Sequence, residues 1–431
     1  MDLPSHLACR NGHLHISGCD TVVLANEFKT PLYVTDEDRI RNRYLEWQKA
    51  LTSRYPGCRI LYATKANGNL AIMRILAGLG AGADIFSSGE LHLARKAGML
   101  PQNLLFNGSS KTPDDLKLAV STGVRISLDS TDELYQLESV ASEMGQVVEV
   151  SFRVNPAINA PTHPKIATGL ASSKFGIAAD AIISAYDAAL ACEHITPVGI
   201  HCHIGSQILA LEPFAEEANV LMRIVAELHE RGVAFKFVDL GGGLGIPYNH
   251  SDEAAPSFDS YAQAVIPPCK EMFTELGISP EIWVEPGRSI VGDSTILLTR
   301  VNSVKKAHKN FVNVDAGFNL LIRPAMYNAY HEVIVANRAS EPAGDSYTIT
   351  GPICETGDIL AHDRTLPPVH AGDLIAVLDA GAYGFSMASQ YNCRPRCAEV
   401  LVKGARAELM RRSETVDDII STMSTPSWHK E

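Results

Sequence analysis

Long apolar runs are missing from this chain: in 431 residues none approaches the roughly 20 that a membrane helix needs. The opening MDLPSHLACRNGHLHISG lacks a basic region followed by an apolar core, so no signal peptide is expected. Nine cysteines are present, an odd number, and no two form a CxxC pair. That usage suits reduced thiols in a cytoplasm better than a disulfide framework. Excess positive charge is missing too. A formal net charge of -12 argues against a nucleic-acid surface, which would need a basic face, but leaves the sign of a local pocket open. Low-complexity tracts and short repeats are absent. What remains, 46% hydrophobic and 20% charged, is ordinary globular composition, with length enough for one large and one smaller domain.

From about residue 59 to 288 one theme recurs. A short β-branched or aromatic run ends in a polar or glycine-rich turn, and a helical pattern follows. The runs are RILYATKA, GADIFS, NLLFNG, RISLDS, VEVSFRVN, VGIHCHIG, FKFVDLGG and EIWVEPGR. Strands alternating with helices indicate parallel βαβ units, and eight of them suit a closed (β/α)8 barrel, with a doubly wound open sheet as the alternative. After about residue 290, strand-like runs such as TILLTRVNSVKKAH, DSYTITGP and DLIAVLDAG follow one another without long helices, which predicts a β domain. HLHIS and TVVLA near the start also look strand-like and are expected to join it. The polar stretch 156–176, rich in Pro, Ser and Gly, reads as a functional lid or a disordered loop.

Barrel active sites lie at the C-terminal ends of the strands. That rule gathers Lys65, Ser87, Asn107, Asp129, Arg153, His201, His203, Gly241 to Gly243, Glu285 and Arg288 at one mouth. A lysine there would be partly desolvated, which lowers its pKa and frees the amine for imine formation; a rim lysine in water is the bland alternative. Gly241, Gly242 and Gly243 allow backbone to approach a phosphate, or simply make a tight turn. A carboxylate such as Glu285 can keep a pyridine nitrogen protonated, or form a structural ion pair. His201 and His203 share a strand face but lack further ligands at zinc spacing, so a metal is the minor alternative. In the second half, Cys354 beside Glu355 could donate a proton or be inert. Arg323 and Tyr327, one helical turn apart, could meet a carboxylate, and Tyr383 could cap a phosphate.

Taken in order, YATKAN, SSGEL, HCHIGSQ, VDLGGGLG, EPGRSIV, DAGFNLLIRPAMY, GPICETGD and GAYGFSMASQYNCRPRCAEVLV run from residue 62 to about 402. Together they resemble the diaminopimelate decarboxylases, within the barrel-type pyridoxal-phosphate decarboxylases and alanine racemases. The resemblance implies an N-terminal strand segment over 1–35, a (β/α)8 barrel over 36–288 and a C-terminal β-sandwich or Greek-key domain over 289–431. It implies a cytoplasmic homodimer with shared active sites. Lys65 would hold pyridoxal phosphate as an imine and His203 would stack on its ring. Gly241, Gly242, Gly243, the Glu285-Pro286-Gly287-Arg288 backbone and Tyr383 would hold the phosphate, while Glu285 faces the ring nitrogen. Arg288, Arg323, Tyr327 and Tyr383 match positions at the substrate, the first three at its carboxylate. Cys354, the implied proton donor, and Glu355 would come from the partner subunit. The family often has CESSD where this chain has CETGD, which touches only the contacts near Thr356 and Gly357.

The resemblance implies decarboxylation of meso-2,6-diaminopimelate to L-lysine. Charge supports that choice over ornithine or lysine. Two unit charges about 4 Å apart at an effective dielectric of 20 interact by roughly 4 kcal/mol, on the order of a thousandfold in affinity. A pocket with Arg288 and Arg323 would therefore repel a purely cationic distal end. The competing readings are another amino-acid decarboxylase, an amino-acid racemase, a non-catalytic decarboxylase-like regulator, and last a zinc hydrolase.

Overall fold

Eight of the β-branched and aromatic runs form short strands: β1 (Cys58–Ala63), β2 (Gly82–Ile85), β3 (Leu104–Phe106), β4 (Arg125–Leu128), β5 (Val148–Asn155), β6 (Ile195–Cys202), β7 (Phe237–Asp239) and β8 (Glu281–Val284). Each pairs in parallel with the next, and β8 pairs with β1, so the sheet closes. The alternative of an open sheet is thereby removed, and the expected (β/α)8 barrel stands. The computed structural model describes residues 3–250 and 254–429. The chain divides into two units, of which the barrel is Ile40–Pro247 with Glu253–Val291.

The turns that leave the strands are written in capping residues. Ser87, Thr112, Ser130 and Ser257 each accept a backbone N–H three residues on, satisfying a donor that the helix leaves unpaired. Side chains along a strand alternate, so each inward residue is followed two positions later by the next layer up. Leu61, Leu105, Val198, Phe237 and Trp283 make one apolar cluster, with Phe237 and Trp283 stacked 3.9 Å apart. Two residues beyond Leu105, Phe237 and Trp283 come Asn107, Asp239 and Glu285, all buried. An apolar floor thus carries a polar layer directly above it.

The other unit comprises Met1–Arg39, Tyr248–Asp252 and Gly292–Glu431. In its main sheet, strand Leu32–Asp36 lies between Thr295–Lys306 and Ala398–Lys403. Alternation again separates two faces: Leu32 and Val34 join Ile296 and Leu298 in one apolar cluster, while Tyr33 joins Leu297 in another. The two runs expected to join this sheet do not. HLHIS forms strand His13–Ile16 of a separate three-stranded sheet. TVVLA opens the helix Thr21–Phe28, because Asp20 caps it by accepting from the N–H of Val22. A β-branched pair at a helix start is outweighed by the cap. No helix among the described residues is long and apolar enough to cross a membrane.

Candidate active site

Lys65 sits in the single 3-10 turn Thr64–Ala66 that follows β1. Its Nζ donates to Asp84 Oδ2 and lies 4.4 Å from the centre of the Phe86 ring. The lysine side chain is 32% exposed, whereas its carboxylate partner is wholly buried. The amine is therefore ion-paired, neither a rim lysine in water nor one isolated in apolar surroundings. Asp84 Oδ1 accepts from Asn107 Nδ2 at 2.7 Å, and the same amide nitrogen donates to Glu285 Oε1 at 2.7 Å. Glu285 Oε2 lies 3.6 Å from His201 Nε2, and His201 Nδ1 lies 3.1 Å from Ser127 Oγ. A continuous polar path thus runs through the barrel from Lys65 to Ser127.

Charge is distributed unevenly along it. Burial alone would raise Glu285, but the neighbouring His201, Lys65 and His203 outweigh it and hold the carboxyl at about 2. Asp84 is pushed up by burial and by Glu285, against Lys65 and Asn107, which favour its ionised form. Asp239 is pushed well up by burial and by Glu285, although its Oδ1 accepts the Gly241 N–H. Among the buried acids the ionised form is therefore favoured most at Glu285, whereas burial and the charge on Glu285 push Asp84 and Asp239 towards the neutral form.

His203 is half-buried, and desolvation together with Arg153 and Lys65 holds it well below the ordinary imidazole range. The Gly242 N–H donates to its Nδ1 at 3.1 Å, which makes that nitrogen an acceptor and puts the ring proton on Nε2. A neutral, flat imidazole results. The glycines here answer to packing: a Cβ on Gly242 would lie 2.1 Å from the Glu285 carbonyl oxygen, and one on Gly241 2.3 Å from that of Cys202. The expected phosphate cradle is narrower than three amides, since the N–H groups of Gly241 and Gly242 already serve Asp239 and His203. Arg288, at the start of the turn after β8, donates through Nη2 to Ser206 Oγ at 2.9 Å.

In the sheet unit, Cys354 and Glu355 are exposed and tied to one short segment. Asn392 Nδ2 donates to Cys354 Sγ at 3.2 Å, and Asn392 Oδ1 accepts the Cys354 N–H. Tyr391 donates to Glu355 Oε1 at 2.7 Å, which pushes the phenol up to about 12. Thr356 and Gly357 are exposed in the same turn, which Asp358 fastens by accepting the N–H groups of Phe318 and Ile353. Arg323 and Tyr327 begin and end one short helix. Arg323 is buried, donates to His331 Nε2 at 2.7 Å and lies 4.1 Å over the Tyr248 ring. Tyr383 has φ +57°, a left-handed conformation that costs a non-glycine residue on the order of 1 kcal/mol or more.

The barrel set fits pyridoxal phosphate: an amine for its aldehyde, a neutral ring to stack on it, an ionised acid for its ring nitrogen, and arginine with glycine-lined backbone for its phosphate. The buried Asn107 Oδ1, His201 Nε2 and Asp239 Oδ2 have no hydrogen-bond partner, which marks a polar interior built for more than packing. Residues 37–292 match the pyridoxal binding domain of the pyridoxal-dependent decarboxylases. Over 97% of this chain and 98% of the relative, 50% of residues are identical to the diaminopimelate decarboxylase of Archaeoglobus fulgidus. The chain belongs to the diaminopimelate decarboxylase family. The family enzyme of Methanothermobacter thermautotrophicus is 44% identical over 96% of each chain. The crystal structure of the M. jannaschii diaminopimelate decarboxylase, in co-complex with L-lysine, superposes with TM-score 0.93 at 38% identity, covering 98% of both chains.

Of the residues placed at the barrel mouth by position, Lys65, Asn107, His201 and Glu285 join one polar path, and His203 feels the charges of Lys65 and Glu285 while bonding to Gly242. Ser87 does not join it; it caps the helix Ser88–Ala97. Asp129 accepts the Gly176 N–H instead. Asp84, Asp239 and Ser206 had no role in the sequence reading of this decarboxylase-family chain. Asp84 carried a signal, being a charged residue inside the otherwise apolar GADIF run. The 156–176 segment contains one short 3-10 turn (Pro164–Ile166) and bonds back to the barrel: Thr168 Oγ1 donates to the His203 carbonyl at 2.9 Å.

Proposed function

We infer that this chain is a carboxy-lyase that removes CO2 from meso-2,6-diaminopimelate and leaves L-lysine, the last step of lysine synthesis. The observation that carries the reading is the meeting, at one end of the barrel, of half-buried Lys65, neutral half-buried His203 and buried, ionised Glu285. Pyridoxal phosphate, when bound, supplies the electron sink for the pair left as the carbon–carboxylate bond breaks.

The chain's residues divide the remaining work. Lys65 would hold the cofactor through its amine, and Asp84 Oδ2 stands as the acceptor for the Nζ proton. Glu285 favours a protonated ring nitrogen, as an anion beside a base does. His203 presents its flat neutral face to the ring. Arg288, the remaining Gly243 amide of the glycine run, the Pro286-Gly287 backbone and Tyr383 would hold the phosphate. Arg288, Arg323 and Tyr327 take the substrate's carboxylate, and Glu355 its distal ammonium, a pairing that a purely cationic diamine end cannot match. Cys354 protonates the carbon that loses CO2.

The enzyme works as a cytoplasmic homodimer on this reading, with Cys354 and Glu355 of one subunit serving the barrel of the other. Nine free cysteines suit that compartment. Purified protein should release CO2 from meso-2,6-diaminopimelate and form lysine in equal amount. A preference for ornithine or arginine would overturn the substrate assignment.

A further inference from the structure

Asn107 follows β3 and is wholly buried. Its amide nitrogen donates to two different acids, Asp84 Oδ1 and Glu285 Oε1, each at 2.7 Å. Asp84 uses its other oxygen for Lys65. Glu285 turns its other oxygen towards His201. One neutral side chain therefore spans the acid that holds the lysine and the acid assigned to the ring nitrogen.

Two buried carboxylates this close repel each other, and a shared donor holds both in place without adding a cation. The orientation of the amide follows from the same logic. Its oxygen, turned towards either acid, would face a second acceptor, so the nitrogen must point between them. No isosteric replacement does the same: aspartate would add a third acid that needs its own proton, and leucine would leave two carboxylate oxygens unpaired.

We propose that Asn107 is the positioning residue that couples the two ends of the cofactor site, fixing Asp84 against Lys65 and Glu285 against the ring nitrogen at once. The inference rests on the reading that pyridoxal phosphate binds in this barrel. The ionisable groups facing the pair come from several strands: Lys65 after β1, Asp84 on β2 with Glu90 beyond it, His201 and His203 at the end of β6, Asp239 on β7, and Glu285 after β8. Asn107 is the member that touches two of these acids and has no titration of its own.

The test compares full-length parent with Asn107→Ala, Asn107→Ser and Asn107→Asp. Circular dichroism establishes folding, titration with pyridoxal phosphate gives the dissociation constant, and absorbance of the bound cofactor is followed against pH. Asn107→Ala is expected to weaken cofactor binding by about tenfold or more, the loss of hydrogen bonds to charged groups. It is also expected to move the pH midpoint of the absorbance change. Asn107→Ser, with one donor left, should fall between parent and alanine. Asn107→Asp should be the weakest binder; if it does not fold, the alanine and serine variants decide. Folded Asn107→Ala with the parent's affinity and the parent's pH midpoint overturns the proposal. A lower melting temperature with both cofactor readouts unchanged also overturns it, since it shows a merely structural role. If the parent takes up no cofactor at all, the functional reading itself falls, an outcome distinct from either.

Discussion

At the scale of single residues, the barrel holds one acid whose only evident consequence is for stability. Glu217, on the helix Glu212–Glu230, is buried, and its Oε1 has no hydrogen-bond partner. Burial pushes its carboxyl up to about 8, against the Cys202 thiol and Arg153, which favour the ionised form. The unfolded chain would give up that proton near pH 4.3. Between the two values the folded protein carries a proton that the unfolded one has lost, so stability falls by about 1.4 kcal/mol per pH unit as pH rises. At pH 7 the penalty reaches roughly 3.5 kcal/mol. Glu217→Gln should therefore raise the melting temperature at pH 7.5 and much less at pH 5; a gap that stays constant with pH would sink this account. Unlike Lys65, His203 and Glu285, which stand at strand ends where a barrel must display them, Glu217 offered no sequence signal. An acid on an amphipathic helix ordinarily faces water, and only the packing of that helix against β6 turns this one inward. The pairing of Asn107 with two acids was hidden for a related reason: it joins β2, β3 and β8, and those contacts exist only once the sheet has closed.

At the scale of elements, the 156–176 segment acts as a strap on the turn after β6. Ser206 donates its N–H to the Ile166 carbonyl at 3.0 Å, and the N–H groups of Thr168 and Gly169 donate to the Ile204 carbonyl. Thr168 Oγ1 adds its bond to the His203 carbonyl, beside one from Arg153 Nη2 at 3.3 Å. The backbone of His203, the residue proposed to stack on the cofactor, is thereby held by the 156–176 segment and by Arg153. Thr168→Val keeps the shape and removes the donor, a loss of about 1 kcal/mol. Cofactor affinity should drop by roughly fivefold, with circular dichroism unchanged; an unaltered dissociation constant would show that Arg153 suffices to hold His203. The strands themselves were legible because each combines β-branched residues with a polar stop. The strap was legible only as an anomaly, since its hydrogen bonds are made by backbone and threonine hydroxyls whose partners lie 35 to 40 residues away in sequence. TVVLA misled for the opposite reason, a local β preference overruled by the single Asp20 cap.

At the scale of the whole molecule, the chemistry is divided between units: Lys65, His203 and Glu285 belong to the barrel, whereas Cys354 and Glu355 lie exposed on the sheet unit. A homodimer with shared sites makes a prediction that a self-sufficient subunit does not. Lys65→Ala removes the amine and Cys354→Ala removes the proposed proton donor, so each variant alone should turn over little substrate. Suppose the two are mixed in equal amounts and allowed to exchange. Random pairing makes half of the dimers mixed, and in each of these one of the two sites combines an intact lysine with an intact cysteine, while the other lacks both. Activity should then recover to about a quarter of the parent's, counted over all chains in the mixture. If every subunit used its own cysteine, no pairing could restore a complete site, and the mixture would show only the sum of the two crippled parents. Sedimentation of the same mixture would confirm that dimers had formed, so a failure to recover activity in the presence of mixed dimers would count against shared sites and leave the decarboxylase chemistry of the barrel untouched.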